Sequence, residues 1–431
     1  MKVILGEAHS NNQDVSPETG REDLEDKLES DFRKGEQPAL WAPGYPKAWG
    51  QEVWKFSTGH GDNSTPVNAV SATSDEKFLA IATVDTIVIF EVDGYKLASV
   101  LKTGGEEVHT VEFAKAARKD GGYVLASSYG QGYAEADRKV RIWHLDQDCK
   151  EASTSRKDDK IIVKGDLTTF APTAFSHDSK TLLYLTNHRD EWGNHRVVVA
   201  IDVETGKEKY QMQGHTDSIM WTGFSPDDEL IASAAWDGFL KLYSSKEGKL
   251  IRDYGPTGGQ NWACAFDEEG KNLVVTRGGR PPSAFVWRTD DPRSFPVSLK
   301  GTSGWQRVIS YSPDGAKLAI GAADGRLVIY ETKAMNLIQV WQLAEEKDSY
   351  RWVKEVTVIE WLDGGKRICW TPMDGSLHVY DFESNVKWKW GPGKDDSWRP
   401  GAWFNTLVVL ESNGLIGSKD QDGAFRIWKL P

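Results

Sequence analysis

The chain has 431 residues, 39% of them hydrophobic, with 41 glycines, 19 tryptophans and a formal net charge of −12. That balance lacks the basic footprint a phosphate backbone selects, so nucleic acid is not an expected partner, and no apolar run is long enough to span a membrane as a helix. The three cysteines, Cys149, Cys264 and Cys369, are far apart and in no CxxC spacing, which argues against a disulfide framework or a zinc knuckle and for a reducing compartment.

The first residues, MKVILGEAHS, carry a three-residue apolar run, too short for a signal-peptide core; a cytoplasmic or nuclear location is expected. Residues 1–50 read as an acidic extension. Ser16-Pro17-Glu18 has the chemistry of a helix start, and Leu24, Leu28 and Phe32 fall at i, i+4 and i+8, so a short amphipathic helix running to Lys34 is one reading. A solvated acidic arm is the other. The following PALWAPGYPKAWG is too rigid and too aromatic for a flexible linker and is expected to lie against the body.

From Gln51 to Pro431 the chain repeats. An aspartate is followed six residues later by an aromatic, with apolar residues between, at Asp137–Trp143, Asp237–Tyr243, Asp324–Tyr330, Asp374–Tyr380 and Asp422–Trp428, and in shortened form at Asp85–Phe90. The last three copies are spaced by 50 and 48 residues and the earlier gaps are 100 and 87, so each gap holds one degenerate copy: HRVVVAID at His195–Asp202 and SAFVW at Ser283–Trp287. Each copy is preceded by an apolar strand and a turn of the FSPD kind, and seven are followed by a short fourth strand. The eighth ends with nothing after it, while Gln51–Thr58 is a fourth strand with no third strand ahead of it. A ring closes if this segment pairs with Phe425–Lys429, which removes both exposed edges. The expectation is an all-β, eight-bladed β-propeller of four-stranded antiparallel blades, closed by that pairing. Seven blades with an odd insertion, or two half-size domains, are the competing counts.

Gly214-His215, Phe224-Ser225-Pro226-Asp227, Ser233, Asp237 and Tyr243 together resemble a WD repeat, and RIWHLD at Arg141–Asp146 is similar to its usual ending. The resemblance covers about Gln51 to Pro431. It implies that a His, a Ser or Thr, the turn Asp and a strand Trp bond to one another inside a blade. Here the fourth blade comes nearest, with His215, Ser233 and Asp237 and with Tyr243 in the Trp place; the eighth keeps Ser418, Asp422 and Trp428 without the His. Asp137, Trp143, Asp324 and Asp374 take the same structural reading, since an Asp in a tight turn bonds its own backbone.

No pattern for catalysis stands out: there is no GxSxG elbow and no SxxK. GPGK at Gly391–Lys394 lacks the first glycine of a phosphate loop, and GQG at Gly130–Gly132 has no helix after it. The one histidine cluster, NHRDEWGNHR at Asn187–Arg196, fits a polar hairpin better than a metal site. No cofactor, no metal and no catalytic residue is therefore expected. Tryptophans are the more informative feature. Trp143, Trp287 and Trp428 occupy third strands, but Trp262, Trp305, Trp352, Trp398 and Trp403 lie in the connections entering inner strands, and Trp236 stands before a turn aspartate.

The resemblance marks two solvent-facing rows on one rim: the position six residues before the FSPD phenylalanine (Ser218, Gln260, Trp305, Glu355, Phe404) and the residue before the turn Asp (Trp236, Ala323, Met373, Gln421). With Arg307, Arg351 and Arg399 beside them, Trp236, Gln260, Trp305, Arg307, Glu355, Met373, Trp398, Arg399 and Phe404 are the candidate partner-binding residues, since Trp, Tyr and Arg dominate binding hot spots. Packing between blades is the competing explanation of these tryptophans. The function expected is a non-enzymatic scaffold that holds a protein or peptide, preferably through basic segments, without nucleic acid or membrane. A carbohydrate-binding propeller and an enzyme with a central site are the alternatives.

Overall fold

A computed structural model describes residues 31–57, 66–130, 138–151, 161–168, 174–190, 193–279, 281–291, 293–343, 355–392, 406–420 and 422–431, with backbone alone at 187–190 and 193–195. The strands form eight consecutive sheets arranged as blades. Blade 1 runs Ala69–Ala72, Phe78–Ala82, Thr86–Glu91 and Leu97–Lys102 from inside to outside. Blades 2 to 7 follow over residues 107–164, 166–212, 219–254, 261–299, 306–342 and 356–391, and blade 8 over 407–429. Within every blade the pairing is antiparallel, joined by short connections. Among the described residues no helix is long and apolar enough to cross a membrane.

The ring closes between Trp54–Phe56 and the last strand: Phe425 opposes Phe56, Arg426 opposes Lys55 and Ile427 opposes Trp54. The inner strand of blade 8 lies beside that of blade 1. Eight blades, and not seven, complete the circle. Alternating apolar residues on each strand place one set of side chains against the preceding blade and the other against the following one. The buried apolar residues accordingly divide into eight cores, one per blade-to-blade interface.

The FSPD-type turns share one microstructure. Ser225 Oγ donates to Asp227 Oδ1 at 2.6 Å and accepts from Leu230 N at 2.9 Å. Ser312 with Asp314 and Lys317, Ser176 with Asp178 and Thr181, and Thr73 with Asp75 and Phe78 repeat it. A hydroxyl followed two residues later by an aspartate thus satisfies the backbone groups the reversal would strand. The Asn187–Arg196 region is a long hairpin in which Thr181–Asp190 pairs with Gly193–Asp202.

Blade 3 departs from the pattern at its inner edge, where pairing shrinks to single bridges at Asp166–Leu185 and Phe175–Leu182. The fully buried Glu112 of blade 2 compensates. Its carboxylate accepts from Ala174 N at 3.2 Å and from Phe175 N at 3.4 Å. Burial pushes this carboxyl up to about 7, against the pull of those two N–H groups.

Residues 31–50 do not form the helical end expected there. Arg33–Lys34 pairs with Gln37–Pro38 in a small turn, and the rest of the expected helix lies outside the described residues. Phe32 is wholly buried, stacked on Tyr380 at 4.4 Å and edge-on to Trp370 at 5.4 Å. The Trp- and Pro-rich stretch lies against the body as a strap on blade 7. Leu40–Trp41 and Lys47–Ala48 run parallel to the outer strand Val386–Gly391.

Where the strap ends it meets the last blade. Arg426, 2% exposed, sits 4.0 Å from the Trp49 ring centre and 3.7 Å from Glu52, and donates to Asp420 and Asp422 at 2.6 Å each. The strap and the last blade are therefore joined at one cluster around the buried Arg426.

Candidate functional site

The turn aspartates of four blades repeat a local geometry. Asp237, Asp324, Asp374 and Asp422 each accept, through Oδ1, the backbone N–H two residues on, at 2.9, 3.2, 2.9 and 3.1 Å. The glycine between has φ near +80° in all four: 81°, 84°, 78° and 79°. Only glycine takes that conformation without strain, which explains the Asp-Gly pairs. Asp137 lies outside the described residues.

The other half of each carboxylate differs between blades. In blade 4, His215 bridges Asp237 and Ser233, both at 2.8 Å, inside the blade. Tyr243 is buried beside them and its hydroxyl donates to the Gln213 carbonyl at 3.3 Å. In blade 2, Trp143 Nε1 donates to Ser127 at 2.9 Å. In blade 6, Asp324 accepts from Ser303 N, Ser303 Oγ and Gly304 N. In blade 7, Ser376 donates to Asp374 and also bonds His378. In blade 8, Ser418 turns to Asp420, Asp422 takes Arg426, and Trp428 is buried. These groups, buried in blade 4 and part-buried at the turns of blades 6 to 8, hold loops in place.

That scaffolding fixes the rim. Three pairs across the two rows of candidate positions are joined by backbone bonds, Trp236 N to Ser218 O at 2.9 Å, Ala323 N to Trp305 O at 2.8 Å and Met373 N to Glu355 O at 2.9 Å, and in blade 5 Gly278, in neither row, donates its N–H to Gln260 O at 2.7 Å. Each pair spans the mouth of one blade, where the inner strand starts and the second strand ends.

Across blades 4, 5 and 6 three tryptophans make a continuous arc. Trp236 and Trp262 have ring centres 5.3 Å apart, and Trp262 and Trp305 are 5.7 Å apart, tilted by 57° and 44°. The Arg307 guanidinium lies 4.2 Å from the Trp262 ring and 5.2 Å from the Trp305 ring. It is aimed by Glu355 of blade 7, with Nε to Oε2 at 3.2 Å and Nη2 to Oε1 at 3.3 Å. This forked pairing fixes the plane of the guanidinium and neutralises its charge. Trp305 is 39% exposed and Trp236 and Gln260 are half-buried, but Glu355 and Met373, expected to face solvent, are buried, because Glu355 turns inward to pair with Arg307 and Met373 is bonded behind it. Trp398, Arg399 and Phe404 lie outside the described residues, as do Arg351, Trp352, Trp403 and Gln421.

Two contributors were not among the candidates. Trp262 was visible as a loop tryptophan, yet it falls in neither row, and only the structure shows it as the middle of the arc. Gly278 leaves the space for it: a Cβ there would meet Trp262 Nε1 at 3.0 Å and Trp305 Cδ2 at 3.3 Å. A glycine after Thr276-Arg277 carries no signal of that duty.

The face so built is a rigid aromatic ledge with a neutralised arginine beneath it. It has the chemistry of a recognition surface, with large amphipathic side chains held at little entropic cost. Among the described residues no group of His, Cys, Asp and Glu side chains is placed to hold a metal ion.

The ring of eight blades makes this chain a β-propeller, and its blade 4, with the Asp-Gly turn and the His–Ser–Asp network, is a WD-type repeat. Residues 206–244, which hold that network, match the WD40 family (WD domain, G-beta repeat). The chain is similar to mouse Coronin-7, 30% identical over 143 residues that cover 30% of this chain and 15% of Coronin-7. It is also similar to the mouse WD repeat and HMG-box DNA-binding protein 1, 24% identical over 246 residues that cover 54% of this chain and 21% of that protein. Each match thus spans a small part of the relative's length. Two solved structures share the fold. The C-terminal WD40 domain of Sif2 has a TM-score of 0.67 at 13% identity, covering 90% of this chain and 100% of that one. Sqt1 of Chaetomium thermophilum, bound to the N-terminus of ribosomal protein L10, has 0.65 at 15%, covering 88% and 99%.

Proposed function

We propose that this propeller is a non-enzymatic interaction platform that captures a protein or peptide on the rim carrying Trp236, Trp262 and Trp305. The observation that carries this reading is the arc itself: three tryptophans and a clamped arginine from blades 4 to 6, with Trp305 open to solvent at 39%. Gln260 and Ser218 supply adjacent polar groups, and Glu355 and Met373 support from below. The Sqt1 neighbour, seen with the N-terminus of a ribosomal protein, lends the peptide its plausibility as a ligand class. A net charge of −12 steers basic segments toward the ring, raising the rate of encounter more than the affinity. Cytoplasm or nucleus is the setting this reading assigns.

The test replaces Trp236 and Trp305 by Ala together, with Phe404→Ala as a third change, and compares the variant with the wild type in affinity purification from the native cell. The proteins retained by the wild type should be lost from the variant, while its melting temperature stays within a few degrees. Loss of stability with capture retained would make the tryptophans blade-packing residues only. A glycan array run in parallel should show no binders.

A further inference from the structure

We propose that the outer edge of blade 7, with the pocket that holds Phe32, is a second docking groove, whose ligand is an extended segment with an aromatic anchor, and that residues 31–50 of the chain are its displaceable resident.

Among the described residues, blade 7 is the one blade whose outer strand is paired by a further segment in parallel; all pairing within the blades is antiparallel. An outer strand presents a row of free N–H and C=O groups, which is the template for strand addition. The strap uses part of it. Leu40 N donates to Asn385 O and Ala42 N to Lys387 O, both at 3.0 Å, and Trp49 N donates to Gly391 O at 2.9 Å. Between these points the register slips. Strap residues Leu40 and Lys47 oppose Val386 and Trp390, so seven residues of strap advance against four of blade, with Tyr45 between them edge-on to Trp390 at 5.3 Å.

The side chains tell the same story. Of residues 31–50 only Phe32, Ala39 and Ala42 are buried, whereas Leu40 is 68% and Trp41 44% exposed. Phe32 fills an aromatic pocket of Trp370, Tyr380 and Phe382. Asp31 meets Lys387, and the Asn385 amide donates to the Gln37 and Pro38 carbonyls at 3.1 Å each. These are the parts of a peptide site: one deep anchor, a charged residue beside it, an amide that reads backbone, and a short strand. The ligand chemistry follows from the resident: an acid followed by an aromatic, then an extended run with small residues at the positions of Ala39 and Ala42. Being tethered, the resident holds the groove by effective concentration as well as by these contacts.

The probe is a labelled peptide of residues 31–50, added to the full chain. The wild type should bind it weakly, because its own strap competes. Phe32→Ala in the protein, which removes the resident's anchor, should raise the affinity roughly tenfold or more, and the same peptide lacking its Phe should bind neither protein. Leu40→Pro is the second variant. It deletes the N–H given to Asn385 at a residue 68% exposed, without touching a core, and it should open the groove similarly. Hydrogen exchange on the wild type should find the Leu40, Ala42 and Trp49 amides at least about a hundredfold faster than the paired amides inside blade 7. Failure of both folded variants to take up the peptide would overturn the proposal, as would equal binding of the peptide without Phe. Unfolding of both variants would overturn it too, since a segment the fold cannot release is not a ligand.

Discussion

Arg426→Met should weaken the protein by about 3–5 kcal/mol at pH about 8, through the junction of the strap and the last blade. The side chain is 2% exposed and donates to two carboxylates, with a third, Glu52, at 3.7 Å. Methionine keeps much of the volume but leaves Asp420, 3% exposed, without the cation it pairs with, so that the carboxyl must either stay charged and unsolvated or take up a proton. Removing one member of a buried charge pair carries that cost because the remaining charge is neither solvated nor neutralised. Loss of the contact with Trp49 at 4.0 Å adds about 1 kcal/mol. Lys55, 3.7 Å from the partly exposed Asp422, offsets some of it.

The pH dependence carries the sharper test. Burial pushes the Asp420 carboxyl up, and Arg426 pulls it down. A carboxyl raised in the folded state stabilises when protonated, and that contribution is lost as the pH climbs through its folded value. Without Arg426 the value rises further, so the deficit of the variant is largest at pH about 8 and shrinks towards pH about 5. Denaturant unfolding followed by tryptophan fluorescence at both pH values reads it directly. A deficit under about 1 kcal/mol at pH about 8, or one that grows on acidification, would refute the reasoning.

Other substitutions probe the remaining parts of the scaffold. His215→Ala removes two 2.8 Å bonds and strands a buried serine, so it should cost about 2–4 kcal/mol in unfolding experiments; a cost under about 0.5 would mean the network is dispensable. Glu112 sits at about 7 because of burial, so its ionisation lowers stability progressively as pH rises from the ordinary carboxylate range through about 7. Glu112→Gln keeps an acceptor for Ala174 and should flatten that part of the pH–stability curve; an unchanged slope would contradict the assignment. Gly278→Ala should disturb the Trp262–Trp305 pair, visible as a change in tryptophan fluorescence with the secondary structure intact.

The repeats could be read from the sequence because each blade imposes the same local chemistry. A hydroxyl and aspartate at a turn, an apolar run, an Asp-Gly and an alternating strand are all short-range needs, and Asp237-Gly238 or Asp324-Gly325 announce them directly. Ring closure was legible for a related reason: a fourth strand at Gln51 without a third ahead of it has one edge left to meet. What escaped has long-range causes. Trp49 and Arg426 lie near opposite ends of the chain, and no spacing links them. The strap pairs through scattered backbone groups and buries only Phe32 and two alanines, so it shows no period. Phe32 had instead suggested a helical stripe with Leu24 and Leu28. At the inner edge of blade 3, Ala174 and Phe175 give their N–H groups to Glu112, a residue whose neighbours in sequence look like any inner strand. On the rim, both rows were expected to face solvent, yet Glu355 and Met373 are buried, and the stacking of Trp236, Trp262 and Trp305 depends on the angle between blades, which local sequence does not encode.

The central claim is that the rim arc captures a protein partner. It is tested most directly by quantitative affinity mass spectrometry from the native cell, with wild type and the Trp236→Ala, Trp305→Ala double variant compared at matched folded concentration. The account predicts a discrete set of proteins enriched by the wild type and reduced at least about tenfold in the variant. The same proteins retained at equal levels by both would contradict it.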